Sequence, residues 1–304
     1  MSKAVSYSSH GGPEVLEIVN VPAPHAGPGQ VRVAVRSAGL NAYDFKVRSI
    51  SGYLPSLTFP TGQGSEFAGV VDEVGADVST HSLGDAVLGW ASFAAQAEYV
   101  VVSAAHLAPK PDSLDWPTAG AIGAAGNTAQ RTVSSLSPQP GDTVLVSAAA
   151  GGVGLIACQL LRIAGATVIG TASAANHRFL ESIGVIPVEY GVGLVDRVRA
   201  VAPQGITAVL DNAGEETLLA GLELGVPAGR INTIVWYEGA SKYGIATIGG
   251  GGKTASALAS LARLIAAGDI RVPIAATFPL AEVRAAYKLL EGRHLLGKVV
   301  LTLP

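Results

Sequence analysis

The chain has 304 residues, of which 49% are hydrophobic and 14% charged, with a formal net charge of −3. That length buries one large core or two ordinary ones, and that balance fits a compact globular enzyme without the basic footprint that nucleic acid or an acidic membrane requires. Cys158 is the only cysteine, so disulfides and a cysteine-based zinc site are excluded, and its apolar surroundings mark a structural thiol.

The opening segment MSKAVSYSSHGG has one lysine and no apolar stretch of the signal-peptide kind, so a cytoplasmic location is expected. Residues 3–8 and 15–21 read as strands joined by a His10-Gly11-Gly12-Pro13 turn, and residues 30–37 alternate apolar with polar side chains at the period of a half-buried antiparallel strand. Residues 41–47 read as a short helical turn, followed by the loop 51–55. Residues 64–71 lead into another strand, and glycines at 75, 84 and 89 punctuate further short strands, the pattern of a compact barrel-like β domain. From residue 113 the style changes: 118–134 is small-residue helical, and beyond Pro140 strands alternate with helices as far as residue 234. That rhythm predicts a doubly wound parallel sheet, so the fold class is α/β. The glycine run 249–252 lacks a framing strand, turn and helix and reads as a connector better than as a phosphate cradle. Residues 254–267 and 279–290 read as helices, and 297–301 as a terminal strand that returns to the first domain's sheet.

The stretch 141–173 is a strand, a small-residue turn, a buried helix and a second strand. Its length tempts a membrane reading, but Arg162, the Gly151-Gly152 pair and the strand chemistry argue for a buried βαβ unit. Such a turn lets the backbone approach a pyrophosphate at the positive end of a helix, through Ala150, Gly151, Gly152 and Val153. Ala149, Gly151 and Gly154 match the dinucleotide spacing with one glycine replaced, and a tight turn without a ligand is the alternative.

Several islands together resemble the zinc-independent quinone oxidoreductase branch of the medium-chain dehydrogenase/reductase superfamily. They are Glu14-Val15-Leu16 with Pro22-Ala23-Pro24, Asn41 to Arg48 (NAYDFKVR), Gly64 to Val71 (GSEFAGVV), Ala148xxGly151xxGly154 and Gly297 to Leu301 (GKVVL). They occur in the family's order and span the chain. The resemblance implies a GroES-like β domain at 1–117, completed by 269–304, and a Rossmann domain at 118–268 that binds NADPH. It also implies reduction of quinones, enals or enones and a homodimer, with a small-molecule electrophilic substrate and neither nucleic acid nor membrane as partner. Zinc alcohol dehydrogenases, which the chain resembles around residues 37–39 and 64–66, place a cysteine and a histidine there; here Ser65 stands where the histidine would be. Without that Lewis acid an alcohol has no agent to polarise it, whereas an electrophilic alkene or quinone takes hydride directly.

The end of the second Rossmann strand reports the cofactor, because an acid there receives the ribose 2′-OH and repels a 2′-phosphate. Residues 167–179 contain no acid and offer Thr171, Ser173, Asn176, His177 and Arg178, so NADPH is expected over NADH. Arg178 is otherwise a solvated helix residue. By resemblance Tyr190 lies near the adenosine half or else is a plain surface tyrosine. Asn212, Ala213, Asn232 and Thr233, at strand C-termini, are expected beside the nicotinamide half. Gly297-Lys298 closes over the cofactor in relatives, with a simple strand-start charge as the alternative. Tyr53 is the candidate catalytic group, as proton donor or oxyanion partner, unless it is an apolar lid; Asn41, Asp44 and Lys46 belong to the preceding motif, Lys46 toward the cofactor. Asp44 and Lys46 equally suit a local pair. Two other functions stay open: an enoyl reductase tailoring a biosynthetic acyl or polyketide intermediate, and a non-catalytic NADPH-binding protein. The six histidines show no paired metal spacing, and no GxSxG elbow is present.

Overall fold

The computed structural model describes residues 1–292 and 294–304. Two compact units divide the chain: Met1–Asn127 together with Lys253–Pro304, and Thr128–Gly252. In order, the first stretch carries β1 (Ser2–Tyr7), β2 (Glu17–Val21), β3 (Gln30–Gly39), α1 (Ala42–Ser49), β4 (Thr61–Gly62), β5 (Glu66–Val74), β6 (Ala86–Trp90), β7 (Tyr99–Ser103), β8 (Leu107–Pro109) and α2 (Trp116–Gly120), and α3 (Ala125–Ser135) runs on from it. The second unit then carries β9 (Thr143–Val146), α4 (Gly152–Ile163), β10 (Thr167–Thr171), α5 (His177–Ser182), β11 (Ile186–Val188), α6 (Leu194–Val201), β12 (Ala208–Asp211), α7 (Glu215–Glu223), β13 (Ile231–Thr233) and α8 (Tyr237–Tyr243). The chain closes with α9 (Ala255–Ala266), β14 (Ile274–Pro279), α10 (Val283–Glu291) and β15 (Lys298–Thr302).

In the first unit the described residues form a large sheet in the order β14-β15-β3-β5-β6-β8, with β7 also on β3, and a small one in the order β2-β1-β4. The long central strand β3 follows its period-two pattern: Val31, Val33 and Val35 are buried and the residues between them are not. The terminal strand returns as its sequence predicts, antiparallel to β3 with Val300 opposite Gly39. Arg48 shows why the C-terminal segment belongs here. Fully buried, it pairs with Glu291 of α10, donates to the Gly11 carbonyl at 3.2 Å, and lies 4.8 Å from the centre of the Tyr287 ring. Tyr287, Val283 and Ala286 then place the inner face of α10 in the same core as Val5, Leu16 and Phe67.

The second unit is a parallel sheet in the order β11-β10-β9-β12-β13. Strand order reverses between β9 and β12, and ligands of open α/β sheets bind beyond the strand C-termini at such a switch point. Helix α4 buries Leu155, Ile156, Cys158 and Leu161, as its apolar faces predict, and Arg162 in its last turn donates to the Ile183 carbonyl at the end of α5, at 2.6 Å. Burial pushes the Cys158 thiol well up, which leaves it unreactive. Helix α9, predicted with the parallel sheet, lies with the first unit instead; Thr254 caps its start by accepting from Ala257 N–H. The glycine run is docked within the second unit, where Arg131 donates to the carbonyls of Gly249 and Gly252, each at 3.1 Å.

Candidate functional site

In the first unit the functional motif folds around a buried carboxylate. Glu66, the first residue of β5, is fully buried. One oxygen, Oε1, receives the Lys298 ammonium at 2.7 Å and Asn41 Nδ2 at 2.9 Å; the other, Oε2, receives the backbone N–H groups of Ala124 and Ala125 at 2.7 and 3.0 Å. Burial alone would raise this carboxyl, but the Lys298 charge and the amide donors outweigh it and hold the group below the usual glutamate range. Lys298 also donates to the Leu40 carbonyl at 2.7 Å and to Asn41 Oδ1 at 2.6 Å, so its three protons are all engaged. Gly297 turns the chain into β15 at φ +83°, where any Cβ would strike the Pro273 carbonyl. The Lys298 side chain, expected beside a cofactor, is thus engaged inside the first unit.

Asn41 and Asp44 are equally committed. Both ends of the Asn41 amide serve Glu66 and Lys298, and Asp44 accepts the Asn41 backbone N–H at 3.0 Å, closing the first turn of α1. The other Asp44 oxygen accepts the Ser65 hydroxyl. Burial raises the Asp44 carboxyl to about 6; Ser65 opposes that rise and the Glu66 charge adds to it. Asp44 is thus held by Ser65 and by the Asn41 N–H. Lys46 is half-buried in the last turn of α1. Tyr53 is half-buried in the loop after α1 and meets Tyr43 edge-on, with ring centres 6.2 Å apart.

In the second unit the small-residue turn adopts a form that its sequence only hints at. Ala148 takes φ +48°, a left-handed conformation unusual for a residue with a Cβ. Buried Thr171 holds it there: its hydroxyl accepts the Ala148 N–H at 3.3 Å and its carbonyl the Ala149 N–H at 3.0 Å. Gly154 is obligatory, because a Cβ would strike the Ala148 carbonyl, and Gly170 leaves room for the Ala149 methyl. No side chain caps α4, and the Leu155 N–H is the first to close, on Gly151 at 2.8 Å. The N–H groups of Gly152, Val153 and Gly154 come before that first closed turn, with the glycine surfaces of 151 and 152 beside them.

At the switch point, Ser147 and Asp211 continue the register that pairs Val146 with Leu210. Ser147 Oγ donates to Asp211 Oδ1 at 2.9 Å and accepts the N–H groups of Asn212 and Ala213. Thr233 donates to Asp211 Oδ2 at 2.6 Å, and the N–H of Gly214 reaches Oδ1 at 2.9 Å. Asn232 is used up in docking residue 248, with Ile248 N–H on its Oδ1 at 2.7 Å and its Nδ2 on the Ile248 carbonyl at 2.9 Å. The side chains of Asn232, Thr233 and Thr171 are therefore all engaged within the second unit. Asn212 differs: its Nδ2 binds the Ser147 carbonyl at 3.0 Å, while its Oδ1 is a buried acceptor with no partner among the described residues. Ala213 is exposed beside it. Beyond β10, Asn176 donates to Ser173 Oγ at 3.4 Å, Arg178 is exposed, and Tyr190 is 44% exposed. Sequence reasoning gave no role to Glu66 or Ser147, read Ser65 only as a replaced zinc ligand, and set Asp211 at a ligand-binding strand end without foreseeing its buried partners. The available signal was a lone polar or acidic group at the edge of an apolar strand, which must find a partner when buried.

Residues 27–112 match the family described as the alcohol dehydrogenase GroES-like domain, and residues 185–301 the family described as zinc-binding dehydrogenase. A quinone oxidoreductase of Pseudomonas aeruginosa is 32% identical, over 99% of this chain and 99% of its own length. The solved quinone oxidoreductase of Coxiella burnetii matches at a TM-score of 0.90 and 30% identity, covering 100% of this chain and 99% of that one. The Escherichia coli quinone oxidoreductase complexed with NADPH matches at 0.87 and 27%, covering 99% and 100%. Fold and site define a medium-chain dehydrogenase/reductase with a GroES-like and a Rossmann unit. Within that superfamily the chain belongs to the quinone oxidoreductase family.

The zinc implied by the second family description does not fit the donors found here. An ammonium already neutralises Glu66, and the Ser65 hydroxyl is committed to Asp44. A dinucleotide does fit: the open α4 N-terminus, the glycine surfaces and the unpaired Asn212 Oδ1 are complementary to pyrophosphate and amide groups.

Proposed function

We propose that the chain is a zinc-independent oxidoreductase that uses NADPH to reduce a quinone or an α,β-unsaturated carbonyl. The observation that carries this reading is the Lys298–Glu66 pair, in which an internal cation already neutralises the buried carboxylate beside Ser65. Without a metal to polarise an alcohol, an acceptor that itself stabilises the incoming charge suits such a site best. NADPH, when bound, supplies the hydride.

The remaining work falls to the chain's own residues. Residues 150–153 receive the pyrophosphate, and Asn212 Oδ1 accepts an amide N–H. Ser173 and Arg178 lie in an acid-free segment that meets a 2′-phosphate without repulsion, with Tyr190 and Lys46 as further cofactor contacts. Tyr53 places a phenol O–H at the oxygen that gains charge, as donor or hydrogen-bond partner. Family likeness also supports a homodimer in the cytoplasm, which sedimentation and fractionation test; among the described residues no helix is long and apolar enough to cross a membrane.

The test is NADPH consumption against a panel of quinones, enones and enoyl thioesters. Acceleration by quinones or enones is expected. Tight NADPH binding with no acceleration by any acceptor would leave a cofactor-binding protein, and turnover confined to thioesters would make the chain an enoyl reductase.

A further inference from the structure

Three aromatic side chains from separate segments of the first unit meet at its surface. Tyr43 on α1 is 45% exposed. Its ring lies nearly parallel to that of Phe93, with centres 6.2 Å apart and planes 28° apart, and edge-on to Tyr53 at 6.2 Å and 60°. Phe93 and Tyr53 are both half-buried. Aromatic area exposed in this way offers a ring surface on which a flat ligand can stack.

The cluster is held in place by the same segments that build the buried acid cluster. Phe93 adopts φ +56°, a left-handed backbone that a side chain disfavours. Its loop is fastened to residues 63–65: Ala91 N–H donates to the Ser65 carbonyl at 3.1 Å, Ala94 N–H to Gly64 at 3.2 Å, and Gln96 N–H to Gln63 at 3.0 Å. Gly62 makes the close approach possible, since a Cβ there would strike the Phe93 carbonyl. Tyr43 directly precedes Asp44, which Ser65 and the Asn41 N–H fix in turn. One rigid segment, residues 62–66, therefore delivers Ser65 and Glu66 and also sets the spacing between Phe93 and Tyr43.

We infer that Tyr43 and Phe93 form an aromatic platform that selects flat, fused-ring quinones over short aliphatic enones, with Tyr53 at its edge. This rests on the reductase reading above and names its preferred acceptor class. A planar fused ring gains by offset stacking on the face of an aromatic side chain, whereas a short enone presents too little π surface to gain much. Tyr43 is thus a specificity residue, separate from any proton donor.

The experiment compares kcat/KM for 1,4-naphthoquinone and methyl vinyl ketone at saturating NADPH in wild type, Tyr43→Phe and Tyr43→Ala. Tyr43→Ala is expected to lower the quinone-to-enone ratio about fivefold, through the quinone KM, with Tyr43→Phe keeping the wild-type ratio. An unchanged ratio, or equal loss on both acceptors, overturns the platform. A wild type that reduces neither acceptor overturns the reductase reading instead. In that event equilibrium dialysis of naphthoquinone decides the platform: about fivefold weaker binding to Tyr43→Ala upholds it, and equal or absent binding overturns it. Thermal unfolding of each variant confirms the fold, and the exposed position of Tyr43 favours its survival.

Discussion

Glu66 in the first unit and Asp211 in the second are both buried carboxylates at the chemistry-bearing end of a strand, and they are satisfied in opposite ways. Glu66 has a full positive charge against it, supported by an amide and two backbone N–H groups. Asp211 has two hydroxyls and the N–H groups of Ala213 and Gly214, with no ion pair among the described residues. The ion pair makes two distant segments mutually dependent and uses up every donor of the cation. The dipole cage spaces three strand ends and leaves an atom free: Asn212 Oδ1, beside it, has no partner among the described residues. The first arrangement leaves no unpaired charge at Glu66, and the second leaves one buried acceptor beside Asp211.

Removing one charge should therefore cost most. Lys298→Met leaves Glu66 buried and uncompensated, at a cost on the order of 3–5 kcal/mol in urea unfolding, and adding Glu66→Gln should recover most of it. A single-variant cost below about 1 kcal/mol would show that the pair does not hold the unit together. Asp44→Asn comes next, and its effect depends on pH. The folded carboxyl is raised from 3.8 to about 6, so stability from its protonation is complete below the unfolded value and lost as pH rises through the folded one. Between pH 4.5 and 8 the wild type should lose on the order of 2 kcal/mol relative to Asp44→Asn. Glu66 titrates in the opposite sense, losing stability as pH falls, and is common to both proteins. A pH-independent difference would remove this account of Asp44. Asp211→Asn should cost least, about 1–2 kcal/mol, because it removes acceptors without stranding a charge. A cost equal to that of Lys298→Met would erase the contrast between the two sites.

Much of the fold was legible because it follows from local pattern. Period-two alternation gave β3, the strand and helix rhythm gave the parallel sheet, and an apolar run after a glycine turn gave β15 its return to the first sheet. Part of the site was legible in the same way, since the small-residue turn and α4 are contiguous in sequence. What escaped depends on partners far apart in the chain. Nothing near Lys298 announces Glu66 or the Leu40 carbonyl, and nothing near Thr171 announces that its hydroxyl serves Ala148. Asn232 likewise reads as a ligand group until residue 248 folds onto it. Each lone charge beside an apolar strand, Glu66 in GSEFAGVV, Lys298 in GKVVL and Asp211 after AVL, needs a buried partner before it is free for chemistry.

The most direct test of the account is kcat/KM for 1,4-naphthoquinone, measured with NADPH and with NADH before and after exhaustive dialysis against a metal chelator. The account predicts turnover that chelation leaves unchanged and that favours NADPH by about tenfold or more. Activity that chelation abolishes and zinc restores, or no turnover with either cofactor, would contradict it.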